Sequence, residues 1–295
     1  MELITVIIPT YNRAKTLLRS MNSVLNQTYK NIELIIVDDN SDDGTLELVS
    51  SLSDNRVKYI KNSTNKGACY SRNLGVDIAK GEYIAFQDSD DEWDLSKLEL
   101  QINNLKENNY DIVSCYINQI FEGGTNKVFP SIDIKDLKDL NYKNYILLEN
   151  IFSTQTILGK RKCFIETKFD NDLPRFQDWD LMIRMCQKYK IGFSDNNLVD
   201  AFIQKDSISK NNKKAVIALS LIRKKYANSD ELNSFYFRNM AIYSICDDLE
   251  NARGYFTKAY QYNRHDYKNK FNYVLIKLNL LILIKFIYKA KRKLK

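Results

Sequence analysis

Three acidic side chains fall within four residues at Asp88-Ser89-Asp90-Asp91, directly behind the apolar run Tyr83 to Phe86. Like charges this close repel unless a cation or hydrogen-bond donors offset them. The bland alternative is that Asp and Asn cap the helices that follow. That alternative suits Asp42 or Asp43 better than it suits the run at Asp88. Two other apolar runs end in a similar way. Leu3 to Ile8 leads into Pro9-Thr10-Tyr11-Asn12, and Ile32 to Val37 into Asp38-Asp39-Asn40. Tyr11 can stack on a base, and Asp39 can accept a base N–H. A divalent cation on the acidic run can neutralise a pyrophosphate. Together these suit a nucleoside diphosphate.

Other chemistries are narrowed by counts. His265 is the one histidine, in a basic, polar stretch. Ser-His-Asp and Cys-His catalysis and multi-His metal sites are therefore disfavoured, and carboxylates must supply any acid or base. Oxygen ligands suit Mg²⁺ or Mn²⁺. The five cysteines are scattered with no CxxC pair, which argues for reduced thiols and against a zinc–thiolate site or a disulfide framework. No GxGxxG follows the first run and no GxxxxGK[ST] occurs anywhere, so dinucleotide dehydrogenases and P-loop NTPases are disfavoured. No signal peptide is expected, because the first apolar run ends at Pro9 without a basic leader. The net charge of +7 belongs to the tail: from Tyr267 to Lys295 there are nine Lys or Arg and no Asp or Glu. The near-neutral body argues against a nucleic-acid partner.

The elements that must hold these residues alternate in the first third. Strand-like runs at Leu3–Ile8, Ile32–Val37, Val57–Ile60 and Tyr83–Phe86 are separated by helical spacing at Lys15–Gln27, Thr45–Leu52 and Ala68–Ala79. Strands apolar on both faces, with helices between them, indicate a parallel α/β sheet covered on both sides. In such sheets ligands bind beyond the carboxyl ends of the strands, where the acidic and aromatic residues converge. Further on, Leu95–Glu107, Lys135–Glu149 and Asp178–Tyr189 read as helices and Asp111–Ile120 as a strand, with a turn at Glu122-Gly123-Gly124-Thr125. Ile191–Gln204 suggests short strands. From about Asn211 onward the chain reads as helix. The length of 295 residues fits one catalytic domain over 1–209 and a helical region over 210–295.

The motifs in this order resemble the family 2 glycosyltransferases with their GT-A fold, a Rossmann-like, mostly parallel sheet with helices on both faces. The matching stretches are Val6 to Arg13, Val37 to Thr45, Asn65-Lys66-Gly67 through Ser71-Arg72-Asn73-Leu74-Gly75, Lys80 to Asp91, and Gln177-Asp178-Trp179-Asp180-Leu181. The similarity spans roughly residues 3–209 and is closest to bacterial enzymes that build capsule, lipopolysaccharide or other surface glycans. It implies that Asp88-Ser89-Asp90 is the DxD motif. Asp90 would hold Mn²⁺ or Mg²⁺ on the diphosphate, and Asp88 would lie near the ribose and donor sugar. Asp39 would read the base, usually uracil, and Pro9 and Tyr11 would wall the base pocket. Arg72 would lie close to the nucleotide, and Thr10, Arg13, Lys66, Gly67 and Ser89 fall in the same nucleotide-sugar-binding stretches. Asp178 would be the general base of an inverting transfer, with Gln177 replacing the Glu that usually precedes it. Gln204 stands where many relatives carry a metal- or diphosphate-holding His.

The resemblance thus implies a metal-dependent, inverting transfer from a nucleotide sugar, UDP-sugar favoured, to a hydroxyl of a glycan or lipid-linked glycan. A sugar nucleotidyltransferase would want a glycine-rich loop after the first strand, which Pro9-Thr10-Tyr11-Asn12-Arg13 is not. A catalytically silent nucleotide-sugar-binding scaffold is the other alternative. Asp178, at a helix N-terminus, is expected to stay ionised. Trp93 and Trp179 read as core or wall residues, Trp179 with the option of lining an acceptor pocket. The tail segment Tyr273–Tyr288 is too short and interrupted to cross a bilayer. On one continuous helical wheel, Lys277, Lys285, Lys289 and Arg292 oppose Ile276, Leu280, Leu283, Ile284 and Ile287. That pattern suggests a helix lying on the cytoplasmic membrane surface, or else a face packed internally or in a homo-oligomer.

Overall fold

The computed structural model describes residues 1–132, 142–203 and 211–294. The chain divides into two compact units. One comprises Met1–Asn171 with Gln177–Gln204, and the other Asp172–Phe176 with Lys205–Lys295.

The first unit is built on a mixed nine-stranded sheet of order β3-β2-β1-β4-β8-β6-β9-β5, with β7 paired to β6. Its parallel part comprises β1 (Ile4–Thr10), β2 (Ile32–Asp38), β3 (Val57–Lys61) and β4 (Tyr83–Phe86). β5 is Glu92–Trp93, β6 Ile112–Phe121, β7 Asn126–Phe129, β8 Leu158–Lys160 and β9 Ile191–Ile203. β8 runs antiparallel to both β4 and β6, whereas β6 and β9 are parallel. All of β1 is buried because its two faces meet different layers. Ile4, Val6 and Ile8 share a core with Leu17, Met21 and Val24 of α1 (Ala14–Leu25) and with Leu98, Ile102 and Leu105 of α4 (Lys97–Glu107). On the other face Ile7 meets Gly75 of α3 (Ala68–Ile78) so closely that a Cβ there would lie 2.6 Å from the isoleucine side chain. The expected strands and helices of the first third are all present. β5, β8 and the short helix Arg161–Glu166 carry too few residues for periodicity to announce them.

Trp93 is a core residue. Its ring lies 3.9 Å from Lys97 Nζ, which is fully buried and donates to Gln101 Oε1 at 2.6 Å. Burial pushes the Lys97 ammonium down to about 8. The helix expected over Lys135–Glu149 lies partly outside the described residues, which show only the turn of helix Tyr142–Tyr145. The Gln204 position, and Lys205 beside it, lie outside them altogether.

The second unit is helical, as its sequence indicates. The helices Asn212–Tyr226, Asp230–Ser244, Leu249–Tyr262 and Tyr267–Lys277 each begin behind a side chain that accepts a backbone N–H of the first turn: Asn211, Ser229, Asp248 and Asp266. A core of Ala241, Ile245, Ala252, Phe256, Leu275, Ile276, Leu281 and Ile284 joins four of the helices. The single continuous wheel expected for Tyr273–Tyr288 is corrected here. Asn279 adopts a left-handed conformation (φ 59°) and separates Tyr267–Lys277 from a further helix, Leu281–Leu294. The break turns Ile276 and Ile284 into the core, while Leu280 and Leu283 remain exposed.

Candidate functional site

The ends of β1, β2 and β3 are stitched into one rim. The Asp39 N–H donates to the Thr10 carbonyl at 2.8 Å, and the Asn62 N–H to the Asp38 carbonyl at 2.8 Å. The Asn12 N–H donates to Ser41 Oγ at 2.9 Å, and the Asp42 N–H to Asn12 Oδ1 at 3.0 Å. Asn12 and Asn40 take positive φ, which asparagine tolerates. Asp38 faces inward and accepts from the Ser41 N–H, the Ser41 hydroxyl and the Tyr59 hydroxyl. It is a framework residue.

Asp39 clamps the neighbouring loop. Its Oδ1 accepts from Asn62 Nδ2 at 2.9 Å and the Lys66 N–H at 2.8 Å, and its Oδ2 accepts from the Gly67 N–H at 2.7 Å. Gly67 needs to be glycine because it sits at φ 87° just ahead of α3. Oδ2 keeps one lone pair for a further donor. Asp39→Ala strands three donors, two of them backbone, at a cost of about 1–3 kcal/mol for each that stays buried. The expected result is a lower melting temperature in thermal unfolding even without ligand. An unchanged Tm would count against the clamp.

The acidic run forms the turn between β4 and β5. Its backbone is held from below by α1: Ser20 Oγ donates to the Asp88 carbonyl at 2.8 Å, and Arg19 donates to the Asp90 carbonyl while its guanidinium lies 3.7 Å from the Phe202 ring centroid. Asp88 Oδ1 accepts from Arg72 at 2.8 Å, with the Arg72 side chain nearly buried. Asp91 is buried and accepts the Phe202 N–H at 2.8 Å. Asp90 has its nearest cationic partner in Arg13, at 3.9 Å. Burial, then the charge of Asp88, raises the Asp90 carboxyl above its ordinary range. Burial together with Asp88 and Asp90 pushes Asp91 up to about 8. Three carboxyls are thus crowded into the turn: Arg72 neutralises Asp88, burial favours the neutral form of Asp91, and Asp90 keeps a cation only at 3.9 Å. Among the described residues no three His, Cys, Asp or Glu side chains cluster as a complete ligand set. One or two carboxylates at Asp88 and Asp90 nevertheless fit a hard Mg²⁺ or Mn²⁺ that takes its other ligands from substrate phosphates and water.

Asp178 opens the helix Gln177–Lys188. Its Oδ1 accepts from the Trp179 N–H at 2.7 Å and from Asn150 Nδ2 at 3.3 Å. Burial raises it to about 6, with Arg72 pulling down and Asp88 pushing up. Burial thus outweighs the helix terminus, yet the carboxyl still stays mostly ionised at neutral pH. Trp179 is buried, and its indole N–H donates to the Ile146 carbonyl.

The expected residues gather unevenly. Arg72 joins Asp88 directly and bears on Asp178, and Asn62 bridges Asp39 at 2.9 Å to Ser71 Oγ at 3.2 Å. Pro9, Thr10 and Ser89 are buried, and the Thr10 hydroxyl has no hydrogen-bond partner among the described residues. Tyr11 is 49% exposed. The Lys66 ammonium lies over the Tyr70 ring instead, 4.4 Å from its centroid. Sequence reasoning missed Arg19, Ser20, Asn62, Asp91 and Asn150 as supports. Asn62 could have been found by the strand-end rule that picked out Asp39, since it follows β3 directly. Arg19 and Ser20 hide in an ordinary amphipathic helix, and Asn150 carries no sequence signal.

The profile of Glycosyl transferase family 2 matches residues 5–167. The chain is 33% identical over 224 residues to an uncharacterized glycosyltransferase of Haemophilus influenzae, covering 74% of this chain and 86% of that protein. It is 48% identical over 103 residues to WfaP of Escherichia coli, named as a UDP-Glc:alpha-D-GlcNAc-diphosphoundecaprenol beta-1,3-glucosyltransferase; that match covers 35% of this chain and 41% of WfaP. The fold is similar to that of S. aureus TarS 1-349 in complex with UDP-GlcNAc, with a TM-score of 0.65 at 20% identity, covering 89% of this chain and 80% of that one. The GT-A architecture, the profile over more than half the chain and the Haemophilus relative agree, and the chain belongs to glycosyl transferase family 2.

Proposed function

We propose that this protein is an inverting, metal-dependent glycosyltransferase that moves a sugar from a UDP-sugar to a hydroxyl of a lipid-linked or growing bacterial surface glycan. One observation carries the reading: Arg72 pairs with Asp88 of the acidic turn at 2.8 Å, and the charges of both that arginine and Asp88 reach the half-buried Asp178. The donor class is supported by the names of WfaP and of the TarS complex, which specify UDP-Glc and UDP-GlcNAc. The acceptor class is supported by the diphosphoundecaprenol in the WfaP name. With such an acceptor, the proposed reaction takes place at the cytoplasmic face of the membrane.

In this reading Tyr11 stacks on the base, with Pro9 and Thr10 as the wall of its pocket, and the free lone pair of Asp39 accepts a base N–H. Lys66, Gly67 and Ser89 border the nucleotide. Asp90, with Asp88, would hold a Mn²⁺ or Mg²⁺ whose charge stabilises the departing diphosphate. Arg13 and Arg72 add positive charge on the same side. The acceptor oxygen attacks the anomeric carbon from the face opposite the diphosphate, and the bond from that carbon to the phosphate oxygen breaks with its electron pair. Asp178 takes the hydroxyl proton. A single displacement inverts the anomeric configuration.

Incubation with UDP-glucose or UDP-N-acetylglucosamine and Mn²⁺ is expected to release UDP slowly without any acceptor, because water can stand in for the hydroxyl. Chelation should stop the release. Release of pyrophosphate from UTP and a sugar 1-phosphate would favour a nucleotidyltransferase, and binding of the UDP-sugar with no turnover a silent scaffold.

A further inference from the structure

The last two helices of the second unit each have two apolar sides. In Tyr267–Lys277, Leu275 and Ile276 are buried, whereas Tyr267, Phe271 and Val274 are exposed, as is Leu278 just past its end. In Leu281–Leu294, Leu281 and Ile284 are buried, whereas Ile282, Leu283 and Phe286 are exposed. Leu280, in the link, is exposed as well. A helix that only caps a soluble core turns polar side chains outward. At about 100° per residue, Ile282, Leu283 and Phe286 instead fill the outward side of theirs. Eight of the twenty large apolar side chains exposed among the described residues fall between 267 and 286, a concentration unlike the singly scattered residues of an ordinary surface.

Charge identifies what covers it. Between Tyr267 and Lys295 the sequence carries nine Lys or Arg and no acid. A second copy of the chain would bring the same positive charge to the same place. No helix is long and apolar enough to cross a membrane among the described residues, and the 14 residues of the last helix reach about 21 Å against the ~30 Å of a bilayer core. We infer that Tyr267–Lys277 and Leu281–Leu294 form a surface that lies in the plane of an anionic lipid bilayer. Phe271, Leu278, Ile282 and Phe286 enter the boundary between headgroups and acyl chains, and the net positive charge of the segment is drawn to the lipid phosphates. The inference stands apart from the donor and the reaction, and its test reads binding alone.

Full-length protein is sedimented at low salt with large vesicles of phosphatidylcholine, with or without phosphatidylglycerol. Wild type is expected to pellet with the anionic vesicles and to come off substantially at high salt, since exposed charge is screened. The double variant Ile282→Ser, Phe286→Ser removes exposed side chains only. It should keep its circular dichroism and melting curve while partitioning about tenfold more weakly. Ile217→Ser, at an exposed position elsewhere, should bind as wild type does. Three results overturn the inference: wild type that stays in the supernatant, a double variant that pellets as well as wild type, or a dimer by light scattering that the double variant dissolves. The last would make a second copy the true cover. UDP release from a soluble donor, measured on the same samples, fails or succeeds independently of all three.

Discussion

Asp178→Asn is expected to leave UDP binding within about twofold of wild type and to lower transfer by at least 10²–10⁴-fold, the usual range for a positioned general base. That range corresponds to about 3–5 kcal/mol of barrier. The substitution isolates the proton transfer because asparagine is nearly isosteric. Its amide oxygen can still accept the Trp179 N–H and face Asn150. What it cannot do is take a proton from the acceptor hydroxyl. Wild type offers a second readout. With the carboxyl raised to about 6 by burial, the competent form is the anion, so kcat/KM should be flat above neutrality. Below pH 6 it should fall about tenfold per pH unit, as protonation removes the base. A variant that still transfers, or a pH profile with no acid limb near 6, would overturn the assignment of the base.

Asp90→Ala gives the second large effect, and its signature is a split between stability and binding. The Asp90 carboxyl is raised by burial and by Asp88, so its ionised form is held at a cost in the folded chain. For a carboxyl whose folded pKa lies above its unfolded value, that cost is absent at low pH. It grows as pH rises and is complete above the folded pKa. Deleting the group at neutral pH relieves repulsion in the turn, and the ligand-free variant should melt no lower than wild type. UDP binding measured with and without Mn²⁺ by titration calorimetry should show the opposite trend. Wild type gains affinity with the metal; the variant loses that gain, by about a hundredfold or ~2.7 kcal/mol. Equal affinity of wild type with and without metal would sink the role given to Asp90. A variant that melts much lower would mean the turn needs Asp90 for its own folding.

The parallel half of the sheet was legible because its central strands are buried on both faces and so read as almost continuous apolar runs, Ile4–Ile8 and Ile32–Val37 most plainly, each broken by one polar residue. The antiparallel additions were not. Leu158–Lys160 is only three residues long, and it becomes a strand by fitting between β4 and β6, a relation between distant segments that no local pattern carries. The site divides in the same way. Asp39, Asp88 and Asp90 follow strand ends and could be found by position. The supports that fix their geometry come from elsewhere in the chain. Arg19 lies 71 residues from Asp90, and Phe202 lies 111 residues from Asp91. Asp178 was found by its motif, but its elevated carboxyl depends on burial created by the fold. The split of the tail at Asn279 was hidden for a different reason. A left-handed asparagine costs little, so the sequence can continue its apolar pattern straight through the break.

On the proposed reading, in which Asp39 meets the base of the donor, its clamp bears on how donors are told apart. Asn62, Lys66 and Gly67 are already bound to Asp39 before any ligand arrives, and the Thr10 carbonyl already holds the Asp39 amide. A nucleotide docking there need not freeze a loose loop, which otherwise costs about 0.5–1.5 kcal/mol per immobilised side chain. That ordering entropy is lost during folding and is the same for every ligand, so it cannot favour one over another. Discrimination at this edge then rests on fit alone, as in a lock cut in advance. Such a rim is slow to change its base preference through loop mutations, since altering any one contact loosens the whole set. Diversification of the sugar and the acceptor is left to parts of the chain that the clamp does not touch.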